Sequence, residues 1–200
     1  MRVRMATPQD ATAVAQSYLP YVRDTAISFE ATPPGAEEMR SRITTTLARL
    51  PWLVTTDGDG IKGFAYASPH RAREAYRWSV DVSLYLDEQV HRQGHGRRLY
   101  AALFNVLAAQ GYVSAYAGIA LPNAASVGLH EALGFTAVGT FRGVGFKHET
   151  WWDVGWWQRR LLEPPPAPRE PLAWSELPDN AVRSALAAHP DGGSTAGSAR

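Results

Sequence analysis

Apolar positions recur along this chain at two spacings, and each change of spacing marks a new element. Arg2–Met5 reads as a short first strand. Thr7-Pro8-Gln9-Asp10 then reads as a helix start, with a hydroxyl cap, proline at the first helical position and an acid in the first turn. Ala11, Val14, Ala15 and Tyr18 follow at helical spacing, and Met39, Ile43 and Leu47 recur every four residues in a second helix over 36–49. Trp52–Thr56 and Ile61–Ala67 flank Asp57-Gly58-Asp59-Gly60, a hairpin signal because glycine supplies the positive φ of a tight turn. Trp78–Leu86 alternates, with Trp78, Val80, Val82, Leu84 and Leu86 on one face and Ser79, Asp81, Ser83 and Tyr85 on the other. A helix opened by Gly96 carries Leu99, Leu103, Val106 and Leu107 on one side and stops at the Gly111 cap. A strand over Tyr112–Ile119, a short helix capped by Asn123 and ended at Gly134, and strands at 135–141 and 153–160 complete the count. The order β-α-α-β-β-β-α-β-α-β-β predicts a mixed α/β fold.

After Leu162 the pattern ends. Residues 164–200 hold 7 of the 14 prolines and finish in a glycine- and serine-rich run at 192–198. Such a segment buries too little apolar surface to offset its ordering entropy. The folded domain is therefore expected over 1–162, with 163–200 a partly mobile Pro/Ala/Gly-rich tail. Within that tail Trp174 and Leu177 are positioned to dock, and 179–188 to form a short helix.

Composition narrows the classes. The 200 residues are 45% hydrophobic and 20% charged, which suits one domain with a sizeable core. Twenty Lys+Arg against 19 Asp+Glu leave a net +1, so no global field draws nucleic acid or an anionic membrane. No apolar run approaches the length of a membrane span, and Met1–Met5 leads into Thr7 without a secretory segment. The absence of cysteine rules out disulfides, thiolate metal sites and a cysteine nucleophile. His70, His95 and His148 show no metal-ligand spacing with acids, so no metal is expected. A cytoplasmic location is the expectation.

The most informative stretch is Val90-His91-Arg92-Gln93-Gly94-His95-Gly96-Arg97-Arg98-Leu99, between a strand and a helix. Two glycines one residue apart let backbone N–H groups converge, and the helix adds its unpaired amides and positive dipole end. That geometry suits a pyrophosphate, with Arg92, Arg97 and Arg98 supplying charge. A Walker loop is excluded because no Gly-Lys-Ser/Thr follows, and the Rossmann fingerprint fails at its third glycine. In isolation the glycine pair reads more readily as a tight turn beside solvated arginines. In context it resembles the coenzyme A pyrophosphate signature, Gln/Arg-x-x-Gly-x-Gly/Ala, of the GNAT superfamily of N-acetyltransferases, with His91 at the Gln/Arg position. Pro51-Trp52-Leu53-Val54, Ala72-Arg73-Glu74-Ala75-Tyr76, Leu121-Pro122-Asn123, Leu129–Phe135, Gly145-Phe146-Lys147-His148 and Trp152–Gln158 resemble, in order, its phosphinothricin/methionine sulfoximine acetyltransferase branch. The resemblance covers about residues 1–162. It implies a mixed, mostly antiparallel central sheet flanked by helices, acetyl-CoA as cosubstrate, a small amine as acceptor and, by analogy, a homodimer.

Acetyl transfer to an amine needs a neutral nitrogen, a donor for the carbonyl oxyanion and a proton for the departing thiolate. Asp81, an acid in mid-strand, is the candidate base; taken alone it reads equally as a solvent-facing residue on a one-sided sheet. The resembling family places a glutamate here, and aspartate, one methylene shorter, would act through a water or on a deeper substrate. Asn123, Ser126 and His130 share one helical face. The resemblance implies cofactor binding there, by the asparagine at 123, and a thiolate proton donor at His130. Their alternatives are a helix cap and a satisfied core histidine. Leu84, Tyr85 and Leu86 are expected to offer backbone groups to pantetheine, and Arg92, Gln93, Gly94, His95, Gly96 and Arg97 to hold the diphosphate. Glu74, Ala75 and Tyr76 resemble the substrate loop, Phe29 and the Trp151/Trp152/Trp156/Trp157 cluster would wall the pocket or serve as core or interface, and Lys147 would meet a substrate carboxylate or stand solvated. The competing readings are acetylation of another small amine or a protein amine, and a non-catalytic acyl-CoA sensor.

Overall fold

The alternation of Ser79–Leu86 sets the middle of the molecule. In the computed structural model, which describes residues 1–58 and 60–187, this segment is β4, the central strand of a seven-stranded sheet. On one side lie β3 (Gly60–Pro69), β2 (Trp52–Asp57) and β1 (Arg2–Met5); on the other lie β5 (Ser114–Leu121), β7 (Thr150–Arg160) and β6 (Thr136–Lys147). Every neighbouring pair is antiparallel except β4 with β5. The helices are α1 (Ala11–Arg23), α2 (Ala36–Leu47), α3 (His95–Gln110), α4 (Ala124–Ala132) and α5 (Asp179–Ala187). The sheet is mixed and mostly antiparallel, as the resemblance implies.

Two cores cover the two faces. Val80 and Val82 of β4 and Leu53 of β2 pack with Leu99, Leu103 and Leu107 of α3. Trp52, Val54 and Phe64 pack with Val14, Tyr18, Met39 and Ile43 of α1 and α2. Successive residues of β2 thus enter opposite cores, which is why that strand reads as an unbroken apolar run. Leu99, Leu103, Val106 and Leu107 are all fully buried, and each contributes about 1.5–3 kcal/mol of transfer free energy.

Several boundaries move from their sequence-based positions. At the first helix the Thr7 hydroxyl does not cap; the Asp10 carboxylate reaches back to accept the Thr7 N–H at 2.8 Å and is clamped by Arg4 at 2.7 Å. The third helix starts at His95, so Gly94 rather than Gly96 is the cap, in a left-handed conformation with φ +82°. The strand expected over Tyr112–Ile119 runs from Ser114 to Leu121. The last two strands form a hairpin longer than 135–141 and 153–160. The register slips between Phe141 and Gly145, a bulge that carries the strand past the expected end at 141.

The segment after Leu162 packs more closely than its composition implies. Gln110 donates to the carbonyls of Arg49 (2.9 Å) and Leu172 (2.7 Å), and the Trp174 indole donates to Leu47 (2.7 Å). Leu177 and Ala185 then bury against Val106 of α3. The run at 192–198 lies outside the described residues.

One feature of the sheet positions the site. β4 and β5 pair only through Ser79–Ser114, Val80–Ala115 and Asp81–Tyr116. Beyond Asp81 each follows its other neighbour, β4 along β3 to Leu86 and β5 along β7 to Leu121. A seam opens between them.

Candidate active site

The loop at the end of β4 ends in α3, and its two glycines serve different purposes. Gly94 supplies the positive φ and has open space where a Cβ would stand. Gly96 lets the helix close on the seam: a Cβ there would lie 3.3 Å from Leu86 and Leu129 and 3.6 Å from Leu84. The first bond into the helix is from the Arg98 N–H to the Gly94 carbonyl, 3.1 Å, so the amides before it point out of the N-terminus. Arg92, Gln93 and Arg97 surround these amides and are exposed, whereas the His95 side chain is buried. His91 turns back, its Nε2 3.2 Å from the Leu86 carbonyl and 3.3 Å from the Tyr21 hydroxyl.

Strand geometry decides which backbone groups the seam exposes. The His70 N–H donates to Ser79 and the Asp87 N–H to Lys62, so odd-numbered residues of β4 turn their N–H and C=O toward β3. Val82, Leu84 and Leu86 turn theirs toward the seam. Tyr85 therefore does not offer its backbone there, contrary to expectation. Its side chain sits instead among Tyr18, Tyr21 and Phe64. Leu86 is partly taken, its carbonyl accepting from the Tyr21 hydroxyl at 2.5 Å. Leu84 has the freest seam edge of the three.

Asp81 stands where the seam opens, on the face opposite α3. It is not alone. His70, at the end of β3, donates from Nδ1 to Asp81 Oδ1 at 2.6 Å, with side-chain exposures of 13% and 26%. The ring stacks on Tyr116 at 4.3 Å and meets the edges of Tyr76 and Trp156. Burial pushes the Asp81 carboxyl above its ordinary 3.8, while the hydrogen bond and charge of His70, and then Arg71, pull it back. Sequence reasoning missed this pair. The signal lay in the antiparallel register: Ser68 opposes Asp81, so a histidine two residues further shares its face.

His130 is also buried, 5% exposed, but in different company. Its Nδ1 donates to the Ser126 carbonyl at 2.7 Å, and its Nε2 accepts from the Tyr100 hydroxyl at 3.2 Å. Burial lowers its proton affinity below the ordinary 6.5. A neutral ring whose one proton is committed to a carbonyl has none for a thiolate, so the geometry is that of a satisfied core histidine and not of the expected proton donor. Asn123 caps α4, its Oδ1 accepting from the Ser126 N–H at 3.0 Å.

The expected substrate residues divide. Phe29 lines a cavity of about 290 Å³ with Tyr18, Glu30, Tyr85, Gly118 and Val154, on the same face as Asp81. Its ring fills the space where Gly145 would carry a Cβ. Glu74 and Tyr76 instead line a second hollow with Arg71, Arg73 and Arg77, Ala75 lying between them on the same short helical turn. Lys147 is not available to a substrate carboxylate, because its ammonium donates to the carbonyls of Val22 (2.5 Å) and Ser28 (2.7 Å). It pins the hairpin to the loop that carries Phe29. Of the tryptophans, Trp156 flanks His70, Trp157 belongs to the α3 core and Trp151 is exposed. Among the described residues no group of three His, Asp or Glu could hold a metal, and no helix is long and apolar enough to cross a membrane.

Comparison with known proteins agrees with this geometry. Residues 3–156 match the acetyltransferase (GNAT) domain. The phosphinothricin N-acetyltransferase of Streptomyces viridochromogenes is 40% identical over 173 residues, which cover 86% of this chain and 94% of that protein. The L-methionine sulfoximine/L-methionine sulfone acetyltransferase of Salmonella typhimurium is 29% identical over 164 residues, 82% of this chain and 96% of its own. The crystal structure of a GNAT superfamily phosphinothricin acetyltransferase from Sinorhizobium meliloti, in complex with AcCoA, is 31% identical. It superposes with a TM-score of 0.79 over 86% of this chain and 97% of that one.

Proposed function

The chain belongs to the GNAT family and is an acetyl-CoA-dependent N-acetyltransferase, and from that premise we propose that it acetylates the amino group of a small amino-acid-like substrate of the phosphinothricin or methionine sulfoximine type. The observation that carries this reading is the seam. Its α3 side offers the helix amides and the Leu84 edge to the cofactor, and its other side, the face that carries the half-buried Asp81, holds a cavity of about 290 Å³. That volume suits a single amino acid, which favours a small amine over a folded protein.

In this reading the amides around Gly94 and Gly96 hold the diphosphate, aided by Arg92 and Arg97, and Leu84 pairs with the pantetheine arm as an added strand would. The side-chain amide of Asn123 is left free to meet the arm while its oxygen caps α4. The thioester then reaches through the seam toward the face that carries Asp81. Asp81 is the centre of proton removal, and the neutral amine attacks the carbonyl directly. Acetyl-CoA supplies the acyl group and its thiolate is the leaving group. No acyl-enzyme is formed.

The test is a panel of amines with acetyl-CoA and thiol detection. Turnover of phosphinothricin or methionine sulfoximine is the expected result. Cofactor binding without thiol release from any amine would make the protein a sensor instead. Preferred turnover of a peptide or protein amine would move the substrate class.

A homodimer and a cytoplasmic location complete the proposal. Val138, Phe141, Val144, Phe146 and Trp151 are each more than half exposed on the β6–β7 hairpin, an apolar surface that a second copy would cover. Sedimentation is expected to give a dimer, and Phe146→Glu with Trp151→Glu a monomer. The cytoplasm follows from the need for the acetyl-CoA pool.

A further inference from the structure

The reading above places proton removal at Asp81 without saying which atom receives the proton. Asp81 Oδ1 is already engaged by His70 Nδ1 at 2.6 Å. With the proton on Nδ1, the lone pair of the ring is at Nε2. Among the described residues no hydrogen bond occupies that nitrogen. The ring cannot swing away, being stacked on Tyr116 at 4.3 Å and flanked by Trp156 at 6.2 Å and Tyr76 at 5.8 Å. Tyr116 is the β5 residue paired with Asp81, so the imidazole lies across the point where the two strands part. The charged and titratable groups that face it are Asp81 on β4, Arg71 and Tyr76 in the β3–β4 connection, and Tyr116 on β5.

We propose that Nε2 of His70 is the group that takes the proton from the substrate ammonium, with Asp81 a positioning residue that fixes the ring's tautomer and stabilises the imidazolium. This deepens the proposed function and rests on it. The imidazole restores the reach that an aspartate lacks beside the glutamate of the resembling family. The step balances: the ammonium gives one proton to Nε2, the C–N bond forms and the C–S bond breaks. The proton that nitrogen sheds in the intermediate matches the one sulfur takes up, and imidazolium returns its proton to water. The net products are the amide, the thiol and one proton.

The test compares wild type, His70→Gln, Asp81→Asn and the double variant, using whichever amine of the panel wild type turns over fastest. His70→Gln is expected to lose about 10²–10⁴-fold in kcat, with acetyl-CoA affinity by calorimetry unchanged. The double variant is expected to be no worse than the weaker single one, because the two residues act as a unit. The acid limb of kcat/KM should vanish in His70→Gln. Retention of kcat within a few-fold by folded His70→Gln, with the limb intact, overturns the proposal and leaves Asp81 as the base. If the variants fail to fold, ¹⁵N spectra of the wild-type ring decide: a proton on Nδ1 is expected, and one on Nε2 overturns it. Failure of wild type on every amine would instead remove the function reading, and this proposal with it.

Discussion

His70 and His130 sit in one sheet-and-helix frame, and their neighbours give them opposite properties. His70 faces a carboxylate through Nδ1 and leaves Nε2 open beside the seam. His130 faces a carbonyl through Nδ1 and a buried phenol through Nε2. Both are held by aromatic rings, so rigidity does not separate them. What separates them is whether the second nitrogen has a partner. A histidine with both nitrogens satisfied is structural material, and one with a single anchored nitrogen is poised for proton transfer.

The sharpest way to break this contrast is to remove each anchor in turn. Asp81→Asn is expected to lower kcat by about 10²–10⁴-fold, measured by thiol release, while the fold is retained. Its melting temperature at neutral pH should rise. The native carboxyl is pushed above the ordinary 3.8, so its contribution to stability is full below that pH and lost as pH rises through the native value. At pH 7 the ionised, half-buried acid opposes folding.

His130→Leu should do the reverse. It leaves the Tyr100 hydroxyl without its partner in the core, and a loss of about 1–3 kcal/mol in denaturant unfolding is expected. Turnover per folded molecule should change by less than about tenfold, with the shape of its pH profile kept. A loss as deep as that of Asp81→Asn would erase the distinction between the two histidines.

Acid stability offers a smaller, signed effect. Burial lowers the His130 pKa, so below its ordinary 6.5 the unfolded chain binds the proton more readily. Stability should fall as pH drops from 6.5 toward the native value, and His130→Gln should flatten that fall in thermal melts. The smallest effect belongs to Lys147. Its ammonium serves two backbone carbonyls, so Lys147→Gln should leave the KM of an amino-acid substrate within about threefold.

The order of elements and the apolar face of α3 were legible because each rests on local periodicity. Leu99, Leu103, Val106 and Leu107 recur at helical spacing and all four are buried. The anchoring of His70 was not, since it depends on β3 pairing with β4 in one register, a contact between residues eleven apart. Lys147 was misjudged for a similar reason: its acceptors, Val22 and Ser28, lie more than a hundred residues away in sequence. The β6–β7 hairpin hid its length because its register slips between Phe141 and Gly145, just past the expected end of the strand. Tyr85 shows a subtler failure. The strand was identified, but its alternation aims backbone groups as well as side chains.

The three-residue pairing of β4 with β5 has a mechanical consequence. It divides the sheet into two leaves joined along a short spine, each carrying its own half of the hydrogen-bond ladder. A cosubstrate lying in the gap would bridge the leaves as well as react between them. The empty enzyme should therefore breathe about this spine, with the seam-facing amide of Leu84 trading deuterium quickly. Loading with acetyl-CoA should slow that exchange, tying catalytic readiness to the stiffness of the sheet itself.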